Sequence, residues 1–371
     1  MGRFLPGILG EQGAACAAQK SGDPAAGPYN PIFATMTTGG MMAKYDVYGI
    51  GNALVDMEYQ VTPADLASLG IAKGVMTLVD QAQQSQMMSH LAAYPHHRSS
   101  GGSAANSMIA VCQFGGTSFY SCKVANDDLG HFYTSDLGAG GVDTNHQHTG
   151  DQPGDTGRCV VLVTPDSDRT LCTFLGISSA LSVDDLVESA LLDSDYFYME
   201  GYLVTSPAAR QACLTGKRLA ETAGVRTAIS LSDPNMVRFF QDGLLEMIGS
   251  GVNLLFANED EACGMAQTTD IQQAIDYLKT LSQEFVITRG PKGALVWDGH
   301  KVLTIEPIPV AAMDTVGAGD VFAGAFLYGR AQGWNHSRAG ALASAAAAEL
   351  VTRLGPRLLP DQAKAVLQRF L

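Results

Sequence analysis

Positive charge is scarce in this chain: 23 lysines and arginines stand against 37 aspartates and glutamates, a formal net charge of −14. A nucleic-acid or anionic-membrane surface needs a basic stripe to replace released counterions, so neither partner is expected. A phosphorylated ligand stays open, because one helix terminus can bind locally what the global field repels. Paired cysteines are missing too. The seven, at 16, 112, 122, 159, 172, 213 and 263, are odd in number, widely spaced and without a C-x-x-C pair. Several lie in apolar runs, which suits reduced core thiols of a cytoplasmic protein. The eight histidines show no H-E-x-x-H spacing. His96-His97 and His146-Gln147-His148 sit in polar, loop-like stretches, and no zinc role is assigned to them. The apolar patch at 4–9 and the alanine-rich stretch at 336–350 are both too short to span a membrane. No G-x-x-x-x-G-K-[ST] occurs, since Gly216-Lys217 is followed by Arg218 and lacks the upstream glycine, which excludes a P-loop NTPase. Gly49-Ile50-Gly51 follows a strand-like run, yet position 54 is Leu where a dinucleotide fingerprint needs its third glycine.

What is present describes a globular chain. Of 371 residues, 46% are hydrophobic and 16% charged, enough for one large domain or two smaller ones. Residues 1–43, rich in Gly, Ala, Pro and Met without sustained period, read as a flexible extension, with Met42 as an alternative start. From Tyr45 onward the pattern is regular. Strands are expected at 45–51, 75–79, 117–124, 196–199, 227–231, 253–257, 285–288 and 293–297. Helices are expected at 63–69, 127–137, 206–223, 235–248, 258–283 and 336–350, with a turn at 138–143. Such alternation reads as right-handed βαβ units in a parallel sheet covered on both faces. The exception is 158–164 and 170–174, which flank the turn sequence Pro165-Asp166-Ser167-Asp168. They read as a hairpin of a small accessory sheet, with Arg169 at its base.

Four stretches carry chemistry. Asp314-Thr315-Val316-Gly317-Ala318-Gly319-Asp320 leads straight into the apolar run 321–327, so its glycines sit at a helix N-terminus. The unpaired amides there, with about half a positive charge from the helix dipole, suit a phosphate or a developing anion. A carboxylate beside such a site calls for a chemical reason, and general-base catalysis by Asp320 supplies one; two acidic caps are the plain alternative. Gly101-Gly102-Ser103-Ala104-Ala105-Asn106 is a second glycine-to-helix junction, with Asn106 able to donate and accept; tight packing of small side chains is its alternative. Asn52 and Asp56 follow the first strand, where open α/β sheets bind ligands. Asn258-Glu259-Asp260-Glu261 begins a helix at a strand end, either as a cap or as an order-giver for Mg²⁺ through water. Thr288-Arg289-Gly290 and Lys292-Gly293 form a further strand-end loop able to meet nucleotide phosphates.

Together, and in this order along the chain, these motifs resemble the ribokinase-like, or PfkB, family of carbohydrate and nucleoside kinases over about residues 44–360. The resemblance implies a doubly wound, mostly parallel sheet with helices on both faces and a small β lid, its segments near 56–80 and 155–176. It implies Asp320 as catalytic base and Gly317, Ala318 and Gly319 as anion hole. ATP contacts fall on Asn258, Thr288, Arg289, Gly290, Gly293 and Thr315, and Mg²⁺ on Asn258 and Glu261 through water; K⁺ is a further candidate cofactor. The acceptor falls to Asn52, Asp56, Gly101, Gly102, Ser103 and Asn106, with Arg169 and Phe174 from the lid. Gly51-Asn52-Ala53-Leu54-Val55-Asp56 and Gly-Gly-Ser-Ala-Ala-Asn-Ser are more similar to adenosine kinases than to ribokinase. The expectation is therefore phosphorylation of a purine nucleoside at its 5′-hydroxyl, with ribose or fructose as runner-up and a non-catalytic nucleoside sensor third. The assembly implied is a monomer or a lid-mediated homodimer.

Overall fold

The computed structural model describes residues 43–74, 76–146, 152–166 and 169–371. The expected extension up to residue 42, His148 and the tip of the 158–174 hairpin lie outside the described residues. The strands are β1 Tyr45–Ile50, β2 Leu54–Gln60, β3 Met76–Leu78, β4 His96–Gly101, β5 Ser118–Ser121, β6 Val142–Thr144, β7 Arg158–Val163, β8 Arg169–Phe174, β9 Ser194–Glu200, β10 Arg226–Ser230, β11 Val252–Asn258, β12 Ser282–Thr288, β13 Ala294–Trp297 and β14 Val302–Ile305.

Nine of them form one sheet in the order β14-β13-β12-β11-β10-β9-β1-β5-β6. It is parallel from β12 to β6, and β13 and β14 add an antiparallel edge. Both faces are covered, so its strands read as unbroken apolar runs rather than alternating ones. In β9, Tyr196 and Tyr198 turn to a core shared with Val47, Tyr120 and Phe326, while Phe197 and Met199 turn to the opposite core with Ile50, Ala212 and Ile275. From β1 the chain passes to β5 on one side and later to β9 on the other. The carboxyl ends beside β1 are therefore a topological switch point, where a crevice opens.

The smaller sheet has the order β3-β8-β7-β2-β4, and β7 and β8 are the antiparallel hairpin read from the sequence. One face, with Val55, Met57, Tyr59, Val160, Leu162 and Cys172, shares a core with Leu66, Met87 and Leu91 of the helices Pro63–Leu69 and Gln81–Leu91. The other face looks into the crevice. The doubly wound sheet plus lid is thus the architecture expected.

Three details depart from the expectations. Asp56 is not at the end of β1: it stands within β2, between Ser99 of β4 and Cys159 of β7. The stretch 258–283 holds two helices, Glu259–Met265 and Ile271–Leu278, because Gln267 takes φ 52° and Asp270 restarts the helix by accepting from Gln272 N at 2.8 Å. His96 and His97 lie in strand β4 rather than in a loop, and the turn 138–143 runs into the short β6.

Candidate active site

The 314–320 loop is held in shape by its first residue. The Asp314 carboxylate accepts from Val316 N at 3.1 Å and Gly355 N at 2.9 Å, and pairs with Arg169 of β8 at 3.1 Å. Met313 N donates to Val351 O at 2.7 Å, so the loop is sewn to the segment 351–356. Gly317 caps the helix Ala318–Ala331 at φ 77°, and a Cβ there would meet Pro356 O at 2.4 Å. At Gly319 the same Cβ would meet nothing within 4 Å, so the lack of a side chain leaves the helix start bare toward the cavity. No side chain caps this helix; Ala318 N donates to Thr315 O at 3.2 Å, which leaves the next amides, those of Gly319 and Asp320, as the donors an anion site requires.

Asp320 in the first turn is held on both oxygens: Ser103 Oγ donates to Oδ1 at 2.6 Å and Asn106 Nδ2 to Oδ2 at 3.0 Å. Burial raises its pKa to about 6, against the opposing hydrogen bonds from Ser103 and Asn106 and the charge of Arg357. A carboxylate tuned toward neutral pH and hydrogen-bond-oriented can accept a proton from a hydroxyl.

Across the cavity, Glu200 at the end of β9 is 1% exposed and ties the two early glycine loops together. It accepts from Asn52 N at 3.3 Å, Asn52 Nδ2 at 3.0 Å and Ala104 N at 3.0 Å. Burial pushes its pKa to about 7 in spite of these bonds. Gly102, at φ 98°, permits the approach, since a Cβ would lie 2.2 Å from Asn52 O. Asp56 comes down from the lid against Gly101, where a Cβ would strike its carboxylate. Burial raises the Asp56 pKa to about 7, with Arg357 and Arg169 lowering it and Asp320 and Glu58 raising it.

A cavity of about 460 Å³ brings together Asn52, Asp56, Gly102, Ser103, Asn106, Asn258, Glu261, Thr288, Gly317, Gly319 and Asp320. A second, of about 520 Å³, shares Thr288 and Gly319 with it and adds Gly290, Gly293, Thr315 and Ala318 among apolar walls that include Ile308, Val310, Phe322 and Val351. Asn258 and Glu261 form a capping box, Glu261 N to Asn258 Oδ1 at 2.8 Å and Asn258 N to Glu261 Oε2 at 2.9 Å, and Asn258 Nδ2 adds a bond to Glu261 Oε1 at 2.7 Å. The cap reading and the ligand reading are compatible here, because Glu261 also presents a buried carboxylate, raised to about 7 by that burial, to the cavity. Four residues selected from the sequence line neither cavity, and the first, Gly101, packs against the Asp56 carboxylate. Arg289 turns to Glu259 at 3.2 Å. Arg169 pairs with Glu58 at 2.9 Å and with Asp314. Phe174 lines a neighbouring cavity, with Arg158 over its ring, because Leu171, Thr173 and Leu175 hold the inward parity of the two-residue repeat.

Glu200, Tyr202, Ser232 and Arg357 were missed. For Glu200 a signal existed, a lone acid closing the apolar run Tyr-Phe-Tyr-Met at a strand's carboxyl end. Ser232 lines the cavity with φ 71°, unusual for a residue other than glycine, and its Oγ accepts from Gly201 N at 2.9 Å.

The fold has known counterparts. The described "probable sugar kinase protein" of Rhizobium etli CFN 42 superposes with a TM-score of 0.81 at 32% identity, covering 88% of this chain and 99% of that one. The adenosine kinase of Sinorhizobium meliloti gives 0.80 at 33% identity, covering 88% and 100%. The aminoimidazole riboside kinase of Salmonella typhimurium is 28% identical over 246 residues, 64% of this chain and 76% of its own length. Residues 64–363 match the description "pfkB family carbohydrate kinase", and the chain belongs to that family of phosphotransferases.

Proposed function

We propose that the chain is an ATP-dependent kinase that phosphorylates the primary 5′-hydroxyl of a purine nucleoside, adenosine foremost. The observation that carries the choice of acceptor is the division of the first cavity, the one that Asp320 lines. Its floor is polar, with Asn52, Asn106, Asp320 and the lid's Asp56 to hold hydroxyls. Its lid wall is apolar, with Met76, Leu78, Leu171 and Leu175. A free pentose or hexose carries hydroxyls all round and gains little from that wall, whereas a flat base buries against it.

In this reading Asp320 takes the proton as the acceptor oxygen bonds to the γ-phosphorus and the bond to the β-phosphate oxygen breaks. Amides at the start of the helix Ala318–Ala331 stabilise the transferring group. Adenine occupies the apolar second cavity, which meets the first at Gly319. Asn258 and Glu261 would hold Mg²⁺ through water, and the ion, when bound, would supply neutralising charge for the donor phosphates. The 32% identity to a probable sugar kinase supports a second reading, a sugar acceptor of the ribose or fructose type. An ADP-release screen of adenosine, guanosine, inosine, ribose and fructose at equal concentration tests both. Adenosine is expected to give the highest rate; a preference for a free sugar overturns the nucleoside, and no release with any acceptor overturns the kinase.

A further inference from the structure

Arg357 lies beyond the helix His336–Leu350, does not line the cavity, and is only 16% exposed at its side chain. Its guanidinium makes three hydrogen bonds to three separate elements. Nε donates to Asn106 Oδ1 at 3.1 Å, Nη1 to Asp136 Oδ2 at 2.9 Å and Nη2 to Ser100 Oγ at 2.9 Å. Asp136 is in turn fixed by Ser100, whose N and Oγ donate to it at 3.0 and 2.5 Å. Burial would raise Asp136, but the Ser100 hydrogen bonds and the Arg357 fork outweigh it and hold the carboxyl below its usual range. The fork therefore has a firm anchor on the side away from the cavity.

The consequence falls on Asn106. An asparagine amide can present either end, and nothing in its own geometry selects one. With Arg357 facing one side and the Asp320 carboxylate the other, only one orientation works: oxygen toward the guanidinium, NH₂ toward Asp320 Oδ2. The flipped amide would set donors against donors and an oxygen against a carboxylate. The line Asp136, Arg357, Asn106, Asp320 thus alternates acceptor and donor throughout.

We propose that Arg357 is a positioning residue for phosphoryl transfer: its fork locks the Asn106 amide in the orientation that donates to Asp320, keeping that carboxylate ionised and aimed at the acceptor. The inference rests on the kinase reading for its consequence but not for its geometry. Other charged or titratable groups facing Asp320 are Asp56 from β2, Tyr198 and Glu200 from β9, Tyr202 just after it, and Glu261 from the helix Glu259–Met265. The carboxylates among these favour a protonated Asp320. Arg357 is the cation whose charge opposes them.

The test uses the full chain with Arg357→Met, Arg357→Lys and Asp136→Asn, each checked by thermal unfolding. Arg357→Met is expected to lower kcat on the order of 10- to 100-fold with acceptor KM within about 3-fold, and to move the acid limb of the kcat profile to higher pH. Arg357→Lys keeps the charge without the fork and is expected to restore the limb but not kcat. Asp136→Asn, reaching the line from its far end, is expected to shift kcat in the same direction by less. Independently of turnover, the ¹³C-carboxyl titration of Asp320, assigned by its loss in Asp320→Asn, is expected to move to higher pH in Arg357→Met. A wild-type limb and titration in a folded Arg357→Met overturn the inference, as does a loss of stability with kcat per folded molecule unchanged. If Arg357→Met does not fold, an unchanged kcat and limb in both Arg357→Lys and Asp136→Asn overturn it equally. If the wild type releases no ADP, it is the kinase reading that fails, and the titration still decides the role of Arg357.

Discussion

The floor and the lid of the cavity are built on different rules. The floor is the carboxyl edge of a sheet covered on both faces, and its polar groups stand where strands end or helices begin. Glu200 closes β9, Asn258 closes β11 and caps the next helix, and Asp320 lies in a first turn. Such places offer backbone amides as well as side chains, the equipment for an anion. The lid is a sheet covered on one face only. Its residues reach the cavity from mid-strand at alternate positions and offer side chains alone. Under the proposed function, the difference gives phosphoryl transfer to the floor and most of the choice of acceptor to the lid.

The largest expected effect strikes the floor. Asp320→Asn should lower kcat by roughly 10²- to 10⁴-fold with little change in acceptor KM. A steady-state assay showing normal turnover would place the base elsewhere. Next comes the lid: Asp56→Asn should raise the acceptor KM by about 10- to 100-fold, the scale of losing a charged hydrogen bond, with a smaller change in kcat. If instead kcat fell and KM held, the division between the halves would collapse.

A pH series probes both halves at once. With Asp320 raised to about 6, kcat should decline below that pH, by about tenfold per unit once the base is mostly protonated. Stability should run the other way. Asp56, Glu200 and Glu261 sit near 7 in the folded chain and near the ordinary 3.8 or 4.5 when unfolded, so between about pH 4.5 and 7 the native state binds more protons. Their contribution to stability thus rises as pH falls through that window. Scanning calorimetry should give a higher Tm at pH 5.5 than at pH 7.5, with a smaller rise in Glu200→Gln; a falling Tm would mean these carboxyls are ionised at ordinary cost. The smallest effect is expected at Phe174→Ala, within about 2-fold in acceptor KM, against several-fold for Leu171→Ala on the inward parity. Equal effects would show that the lid presents its other face to the acceptor.

The same contrast explains what could be read from the chain. Floor residues announce themselves locally, as glycines ahead of an apolar helix or an acid beside an N-cap, because the backbone geometry that makes the site also restricts the sequence. In the lid, β2 is polar on its cavity side while β7 is apolar on both; β4, with His-His-Arg-Ser-Ser, carries no apolar signal and was not foreseen, and parity alone separated Phe174 from the cavity. Arg357 has no local signal at all. Its partners are 221 to 257 residues away, and only folding brings them together. The break at Gln267 was hidden because its positive φ falls on a residue that helices otherwise accept.

The stitching of the 314–320 loop to the segment 351–356 also sets an order of events. Chains emerge from the ribosome N-terminus first, and β1 to β9, with the lid, precede the base by more than a hundred positions. On the proposed reading the lid and the early glycine loops are made before the base, and the Asn106 amide that holds Asp320 is locked only after Arg357 has followed. A growing chain then has, on that reading, no fully oriented base until residue 357 has been made.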